Sequence, residues 1–262
     1  MKMDSRHDLQ LMSEAEKIEY WTGKSEKKFT FLRGVCSDGE HQNLSYALGY
    51  AREKHKAQTR KSGEPYIIHP LSLACDAVGM NMRDDPMLAA AVLHDVPEDI
   101  GDPIMELPID DETRMVVEYL TLRKLSGESK LESKKRYYAN LSKNKYATIL
   151  KGLDRRNNLG SMAKAMSRAS IVKNCFETWF FIIPLLKDAK LNWPEYSNQL
   201  HTIRTDLTAL TDTLSVLVGI DLSYKNPPGD DLMGAILEAK NDEDLKKIPE
   251  IFNSEKRFPD LF

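Results

Sequence analysis

The sequence is poor in cysteine: Cys36, Cys75 and Cys175 are the only three, widely spaced and with no Cys-x-x-Cys pair. That argues against both a disulfide framework and a thiolate zinc site, and leaves the three as reduced structural residues. No apolar run reaches about 18 residues, and no apolar segment follows the charges of MKMDSRHDLQLMSEAEK. Neither a membrane span nor a secretory signal is readable, so the expected location is cytoplasmic. A charge excess of one sign is also missing, since the net charge is -3 and the pI near 6.1. The bulk charge therefore does not suit a partner of long nucleic acids. Internal repeats, low-complexity tracts and strand-like alternation are absent as well.

What is present is helical periodicity. SEAEKIEYW opens with Ser13 three residues ahead of Glu16, the capping-box start of a short leading helix. NLSYALGYAREKHKA puts Leu44, Ala47, Leu48 and Ala51 on one face. RKSGEPYIIHP interrupts regular structure, and a helix is expected to restart just after Pro70. Pro86 is placed to start the helix DDPMLAAAVLHDV. KKRYYANLSKNKYATILKGLDRRNNL reads as one or two helices, and SRASIVKNCFETWFFIIPLLKDAK as an apolar helix interrupted at Pro184. Leu200, Ile203, Leu207, Leu210, Leu214 and Leu217 form a seam with alternating spacings of three and four, expected to pack on the protein's own core, with a homo-oligomer contact as the alternative. The fold class is all-α, a bundle of eight to eleven helices.

Charge is unevenly placed. Arg123, Lys124, Lys130, Lys134, Lys135, Arg136, Lys143, Lys145 and Lys151 face only Glu128 and Glu132 in the same stretch, an excess able to attract a small anion or simply to solvate a helix. A second basic group, Lys54, Lys56, Arg60 and Lys61, precedes a turn.

In AAAVLHDVPEDI an apolar run meets four ionisable groups. On a continuous helix over 89–99, His94 with Glu98 and Asp95 with Asp99 form two adjacent columns about 100° apart. Carboxylates crowded beside an imidazole in an apolar setting take up protons unless a cation holds them, and a divalent metal resolves that conflict. His69 in YIIHP and Asp154 in ILKGLDRRNN stand at other element ends. His69, His94, Asp95 and Asp154 together make a two-imidazole, two-carboxylate set of borderline hardness, suited to Mn²⁺, Fe²⁺ or Zn²⁺.

HKAQTRKSGEPYIIHPLSLA, AAAVLHDVPEDI and YATILKGLDRRNNL resemble, in order and spacing, the hydrolase domain of the Rel/Spo alarmone enzymes, a branch of the HD-domain metal phosphohydrolases. The family pattern runs roughly Q-x-R-K-S-G-x-P-Y-I-x-H-P, then A-A-x-L-H-D-x-x-E-D, then K-x-A-D-R-x-H-N, and the resemblance covers residues 43 to 185. It implies an HD-domain helical bundle with one Mn²⁺ per chain on His69, His94, Asp95 and Asp154. It also implies hydrolysis of the 3′-diphosphate of ppGpp or pppGpp to pyrophosphate and GDP or GTP. Glu98 and Asp99 match the family's catalytic E-D pair, managing protons on the water or on the departing 3′-oxygen. Arg60, Lys61 and Ser62 match its nucleotide-binding loop, with Arg60 stacking on the purine. Asn158 matches the final asparagine, which reaches the ribose or 5′-phosphate region; Arg155 braces the site or meets substrate. Lys173 is a candidate phosphate-facing lysine, and His55 supports the site rather than coordinating.

Three departures stand out: Asn157 in place of His, beside a charged Arg156; Ala57 in place of Gly; and Pro97 inside H-D-x-x-E-D. The first is expected to alter the nucleotide wall and hence substrate preference. Pro97 is expected to end or kink the helix and to set the angle between His94–Asp95 and Glu98–Asp99. The expected organisation is one domain with extra terminal helices: an N-terminal extension over 1–40, the hydrolase domain over 41–188, a packing helix over 189–225 and tail helices over 226–262. No synthetase domain is expected to follow, which suggests a stand-alone small alarmone hydrolase. Such an enzyme could neutralise a cognate alarmone synthetase and act on adenosine alarmones such as ppApp. The rival readings are another nucleotide phosphohydrolase on the same centre, such as an NADPH 2′-phosphatase or a phosphodiesterase, and a non-catalytic antitoxin acting by contact.

Overall fold

In the computed structural model the residues described are 12–220, 222 and 229–252. All their named elements are helical, and β structure is limited to isolated bridges between Thr59 and Pro65 and between Ile220 and Phe252. Of NPPGDD (226–231), which its prolines and glycine mark as a linker in the sequence, residues 226–228 lie outside the described residues.

Helix α1 (Glu14–Val35) begins with the Ser13–Glu16 capping box and runs much further than a short leader. Among its residues only Leu32 and Val35 are buried, so its last turns alone cover the core. Helix α2 (Gln42–Lys54) buries Leu44, Ala47, Leu48 and Ala51, the face its spacing predicts. Helix α3 (Ile68–Gly79) starts two residues before Pro70 rather than after it. A proline in the first turn forfeits no intrahelical donor, which permits the earlier start and puts His69 inside the helix.

Helix α4 (Asp85–Leu93) is buried at every position from Met87 to Leu93, so it forms the axis about which α2, α3 and α5 (Asp111–Leu120) pack. Asp85 also caps a neighbour. The N-cap of α2, His41, makes no side-chain cap bond, and the Asp85 carboxylate instead accepts from the Asn43 and Leu44 amides at 2.9 and 2.8 Å. An α-helix leaves its first amides without partners, and here another helix supplies the acceptor.

Helices α6 (Lys130–Leu141) and α7 (Lys145–Ala165) are separate, each with its own N-cap, Ser129 and Asn144. Helices α8 (Arg168–Glu177) and α9 (Ile183–Asn192) join through a π-helical turn over Thr178–Ile182. Pro184 therefore sits in the first turn of α9 and does not interrupt the apolar stretch, because the wider turn absorbs the missing donor. The stretch Arg168–Asn192 is long and apolar enough to cross a membrane, but 61% of its most apolar window is buried within the fold, as for a core helix. The expected domain end at 188 falls inside α9.

Helix α10 (Ser197–Val218) buries Leu200, Ile203, Leu207 and Leu214 against α7, α8 and α9, while Leu210 and Leu217 are only partly buried. The seam packs on its own core. Gly152 of α7 makes the approach possible, since a Cβ there would lie 2.8 Å from Ile203 Cγ2 and 3.2 Å from Leu186 Cδ2. The expected peripheral tail helices are α11 (Asp230–Glu238) and the single turn α12 (Asp242–Leu245).

Candidate metal centre

Two imidazoles and two carboxylates converge from three helices. His69 enters from the first turn of α3, His94 and Asp95 from the residues just past α4, and Asp154 from the middle of α7. His69 Nε2 lies 3.5 Å from Asp95 Oδ2 and 3.3 Å from Asp154 Oδ1, and His94 Nε2 lies 3.0 Å from Asp95 Oδ2. One ligand atom from each of His69, His94 and Asp95 falls within 4.8 Å of the others. Asp154 joins them through its contact with His69.

The orientation of both rings is set from behind. His94 Nδ1 donates to the Ala91 carbonyl at 2.9 Å, and His69 Nδ1 donates to Asn157 Oδ1 at 2.8 Å. Each Nε2 then carries the lone pair, and each is aimed at carboxylate oxygen. His94 Nε2 is buried with no hydrogen-bond partner, despite its closeness to Asp95. A lone pair facing carboxylates in the interior is stable only with a positive charge between them, either protons or a cation. Nitrogen and oxygen donors in equal number suit a borderline dication, so these residues fit a divalent metal.

In the protein alone, the neighbouring carboxylates favour a proton on His94. Burial by itself pushes the His94 imidazole down, but the Asp95 and Asp154 charges and the Ala91 carbonyl outweigh it and raise the pKa to about 9. Burial by itself would raise the Asp95 and Asp154 carboxyls, but His94 and Lys151 respectively, together with His69, hold them well below the usual carboxylate range.

Lys151 is the counterion of Asp154. Its Nζ sits 2.9 Å from Asp154 Oδ2, leaving Oδ1 for the cluster. Burial would lower this ammonium, yet Asp154 keeps it well above its ordinary value. Tyr66 donates its hydroxyl to Asp95 Oδ2 at 2.5 Å, and its ring packs against His55 with centroids 5.0 Å apart. His55 is buried behind it, its Nδ1 donating to Gln58 Oε1 at 2.6 Å, and Gln58 Nε2 donates to Asp99 Oδ2 at 2.8 Å. The sequence marks Lys151 only as part of the basic run and Tyr66 and Gln58 not at all, although all three occupy positions of the blocks quoted for the family pattern.

A continuous helix over 89–99 does not form. Helix α4 ends at Leu93, and Val96–Ile100 makes a π-helical turn that carries Pro97 as its second residue and closes at Gly101, whose φ is +86°. The Pro97 ring cannot supply the amide a continuing α-helix needs, so the chain opens into the wider turn. His94 and Asp95 remain at the cluster. Glu98 and Asp99 are exposed at its edge: Glu98 Oε1 accepts from the Leu122 amide at 2.6 Å, and Asp99 is held by Gln58.

The loop before α3 is a tight reversal. Arg60 N donates to the Glu64 carbonyl and Gly63 N to the Arg60 carbonyl, both at 2.8 Å, and Gly63 takes a φ of +84°. Lys61 and Ser62 are exposed at its tip. Arg60 turns inward, its guanidinium donating to Asn157 Oδ1 at 3.0 Å and to Asn158 Oδ1 at 2.6 Å. Asn158 also donates to Asp154 Oδ1 at 2.6 Å.

Arg155 and Lys173 lie away from the converging ligand atoms. Arg155 is buried behind Asp154 and tied to Glu177 at 3.0 Å and to Asn174. Lys173 faces Lys130, Glu238 and Asp244, on the side of α11 and α12. Arg156 does not line the cluster either, because Asp76 and Asp206 hold it at 2.7 and 2.9 Å. Helical period explains all three. Residues 155 and 156 leave the face that presents 154 and 158, and the register of α8 was unknown.

The basic run is largely neutralised within the molecule. Arg123 pairs with Glu118, Lys130 with Glu238, Lys134 with Glu177, Lys135 with Asp230 and Arg136 with Glu128. Lys145 lies over the Tyr146 ring. The pairs to Glu118, Glu177, Asp230 and Glu238, acids outside the run, were invisible in sequence, and with the Arg136–Glu128 pair inside it they leave the stretch as packing rather than as an anion attractor.

An all-α bundle with a buried cluster of two His and two Asp at the junction of three helices defines the class of protein. The chain belongs to the HD domain family, whose model matches residues 47–179. HD domains bind a divalent metal, and His69, His94 and Asp95 are the candidate site here. The chain is similar to the bifunctional (p)ppGpp synthase/hydrolase SpoT of Escherichia coli K12, 50% identical over 68 residues, which are 26% of this chain and 10% of that protein. It is also similar to a guanosine-3′,5′-bis(diphosphate) 3′-pyrophosphohydrolase of Aquifex aeolicus, 47% identical over 58 residues, 22% of this chain and 8% of that one. A probable enzyme of the same name from Synechocystis is 34% identical over 131 residues, covering 47% and 17%. The chain thus spans less than a fifth of the length of each of these relatives.

Proposed function

We propose that this protein is a metal-dependent hydrolase that removes the 3′-diphosphate of alarmone nucleotides such as ppGpp and pppGpp. The observation that carries the reading is the junction of α3, α4 and α7, where the Nε2 lone pairs of His69 and His94 are aimed at Asp95 and Asp154 by partners on the opposite ring nitrogens. The relatives named for a 3′-pyrophosphohydrolase activity support the substrate class.

His69, His94, Asp95 and Asp154 would hold one Mn²⁺, which supplies positive charge near the phosphorus and acidity to a water molecule. In the reaction a water oxygen bonds to the phosphorus nearest the ribose, the bond from that phosphorus to the 3′-oxygen breaks, and one water proton ends on the 3′-oxygen. Asp99 and Glu98, exposed at the edge of the cluster, are the bases within the same turn that can move this proton. Gln58 keeps Asp99 oriented toward the site. The Arg60 guanidinium, anchored on its edge by Asn157 and Asn158, keeps a planar face for a purine, and Lys61 and Ser62 at the exposed loop tip are free to meet base or phosphate. A soluble enzyme acting on cytoplasmic nucleotides fits the buried placement of the Arg168–Asn192 stretch.

Purified protein with Mn²⁺ is expected to release pyrophosphate from ppGpp, with ppApp assayed beside it to establish the purine. Asp95→Ala is expected to abolish the release while preserving the far-UV circular dichroism. Release of orthophosphate in place of pyrophosphate, or an active Asp95→Ala protein, would overturn the reading.

A further inference from the structure

We infer that Asn157 and Asn158 couple the loop carrying Arg60 to the metal ligands, so that seating Arg60 and binding the cation favour one another; this rests on the metal site proposed above. The two asparagines are consecutive on α7 and face the guanidinium edge together. Asn157 Oδ1 accepts from Arg60 Nη1 at 3.0 Å and from His69 Nδ1 at 2.8 Å. Asn158 Oδ1 accepts from Arg60 Nη2 at 2.6 Å, while its Nδ2 donates to Asp154 Oδ1 at 2.6 Å. One arginine from the loop is thus one bond removed from two residues of the cluster, on two different helices.

The chemistry of position 157 makes this coupling particular to an amide. A carbonyl oxygen has two lone pairs and can accept from both the imidazole and the guanidinium. A histidine at 157 offers a single lone pair on a neutral ring and cannot accept from both at once. With Asn157, the hydrogen bond that keeps the His69 Nε2 lone pair on the cluster side is shared with the bond that holds Arg60. His69 is buried, and Arg60 is half-buried with Glu64 Oε1 3.6 Å away, so both bonds are shielded from competing water. Asn157 is a positioning residue in this scheme, and Arg60 acts on the cation without touching it.

Coupling of this kind is reciprocal. Loss of a partner behind a ligating histidine weakens metal binding by about 10–100-fold, which sets the scale for Asn157→Ala. Arg60→Ala, which removes no ligand and no direct partner of a ligating ring, is expected to weaken Mn²⁺ binding by about 5-fold to 10-fold, at the low end of the usual span of coupling between sites.

The test is a double-mutant cycle read by Mn²⁺ titration, following the electron paramagnetic resonance of free Mn²⁺, with no nucleotide present. Arg60→Ala is expected to weaken binding in the parent and to have no further effect in the Asn157→Ala,Asn158→Ala background. Asn157→His provides a variant that keeps a ring partner for His69; it is expected to retain Mn²⁺ affinity, to lose the effect of Arg60→Ala in part, and to raise KM more than it lowers kcat. Unchanged Mn²⁺ affinity on Arg60→Ala in the parent, or an equal loss in both backgrounds, would overturn the coupling. A protein that shows the coupling yet hydrolyses no alarmone would overturn the proposed substrate and leave the coupling standing, and thermal melts of each variant verify that the titrated protein is folded.

Discussion

At the residue scale, the site is built from pairs in which one member faces the cluster and the other holds it in place. Lys151 and Asp154 are such a pair, 2.9 Å apart, with the carboxylate buried and the lysine half-buried. Removing one partner of a buried ion pair strands the other charge, so Lys151→Met is expected to destabilise the metal-free protein by about 3–5 kcal/mol, measured by urea unfolding. Mn²⁺ is expected to recover part of that loss by neutralising Asp154. Asp99 belongs to a different group: it is exposed and held by Gln58, outside the converging ligands. Asp99→Asn is expected to lower kcat about 100-fold to 10,000-fold, the range for a general acid or base, while Mn²⁺ affinity stays at the parent value. The side chains of the cluster were legible because His, Asp and Glu grouped at the ends of apolar runs have few structural uses. Lys151, Tyr66 and Gln58 were not, since lysine, tyrosine and glutamine are common on helix surfaces and only contact reveals the partner.

At the element scale, local rules explain most of what formed. The capping boxes at Ser13 and Ser129, the buried face of α2 and the helix start at Pro86 are consequences of nearest neighbours in sequence. The π-helical turns at Val96–Ile100 and Thr178–Ile182 were less accessible. Proline announces that an α-helical bond is missing, but whether the chain stops, kinks or widens is decided by what surrounds it. At 97 the outcome separates Glu98 and Asp99 from the ligand pair; at 184 it leaves a continuous core helix. Gly152 shows the same dependence on neighbours. Asp154 stands two residues along α7, and the missing side chain at 152 lets α9 and α10 close behind it. Gly152→Ala is expected to cost about 1–3 kcal/mol through overpacking against Ile203 and Leu186, although alanine is the better helix former. Chemical denaturation of the metal-free protein measures it, and a stabilised variant would show that α10 can shift at no cost.

At the scale of the whole molecule, a buried network ties α6, α7 and α8 together behind the site. Glu177 accepts from Lys134 and from the Tyr138 hydroxyl, each at 2.7 Å, and lies 3.0 Å from Arg155. Burial alone would raise the Glu177 carboxyl; the charges of Arg155 and Lys134 and the bonds to Lys134 and Tyr138 instead bring it from 4.5 to about 2. A carboxyl depressed on folding contributes stability that is complete above its unfolded value and is lost as pH falls through the folded one. Glu177 is therefore expected to make the protein less stable as the pH drops from about 4.5 toward 2. Glu177→Gln is expected to be less stable at neutral pH and to show a flatter pH dependence across that window, followed by thermal melts at fixed ionic strength.

The sequence by itself determined the helical class, the faces each helix buries and the residue types available for a metal, because periodicity, caps and prolines act over a few residues. Tertiary structure decided which of the many polar groups meet. It placed Asp154 and Asn158 on the cluster face of α7, and turned Arg155 and Arg156 away from it to other acids. It left Lys173 beside α11 and drew Arg60 inward onto two asparagines. Those outcomes depend on helix rotation and close approach, which involve residues tens of positions apart, and no local pattern encodes them.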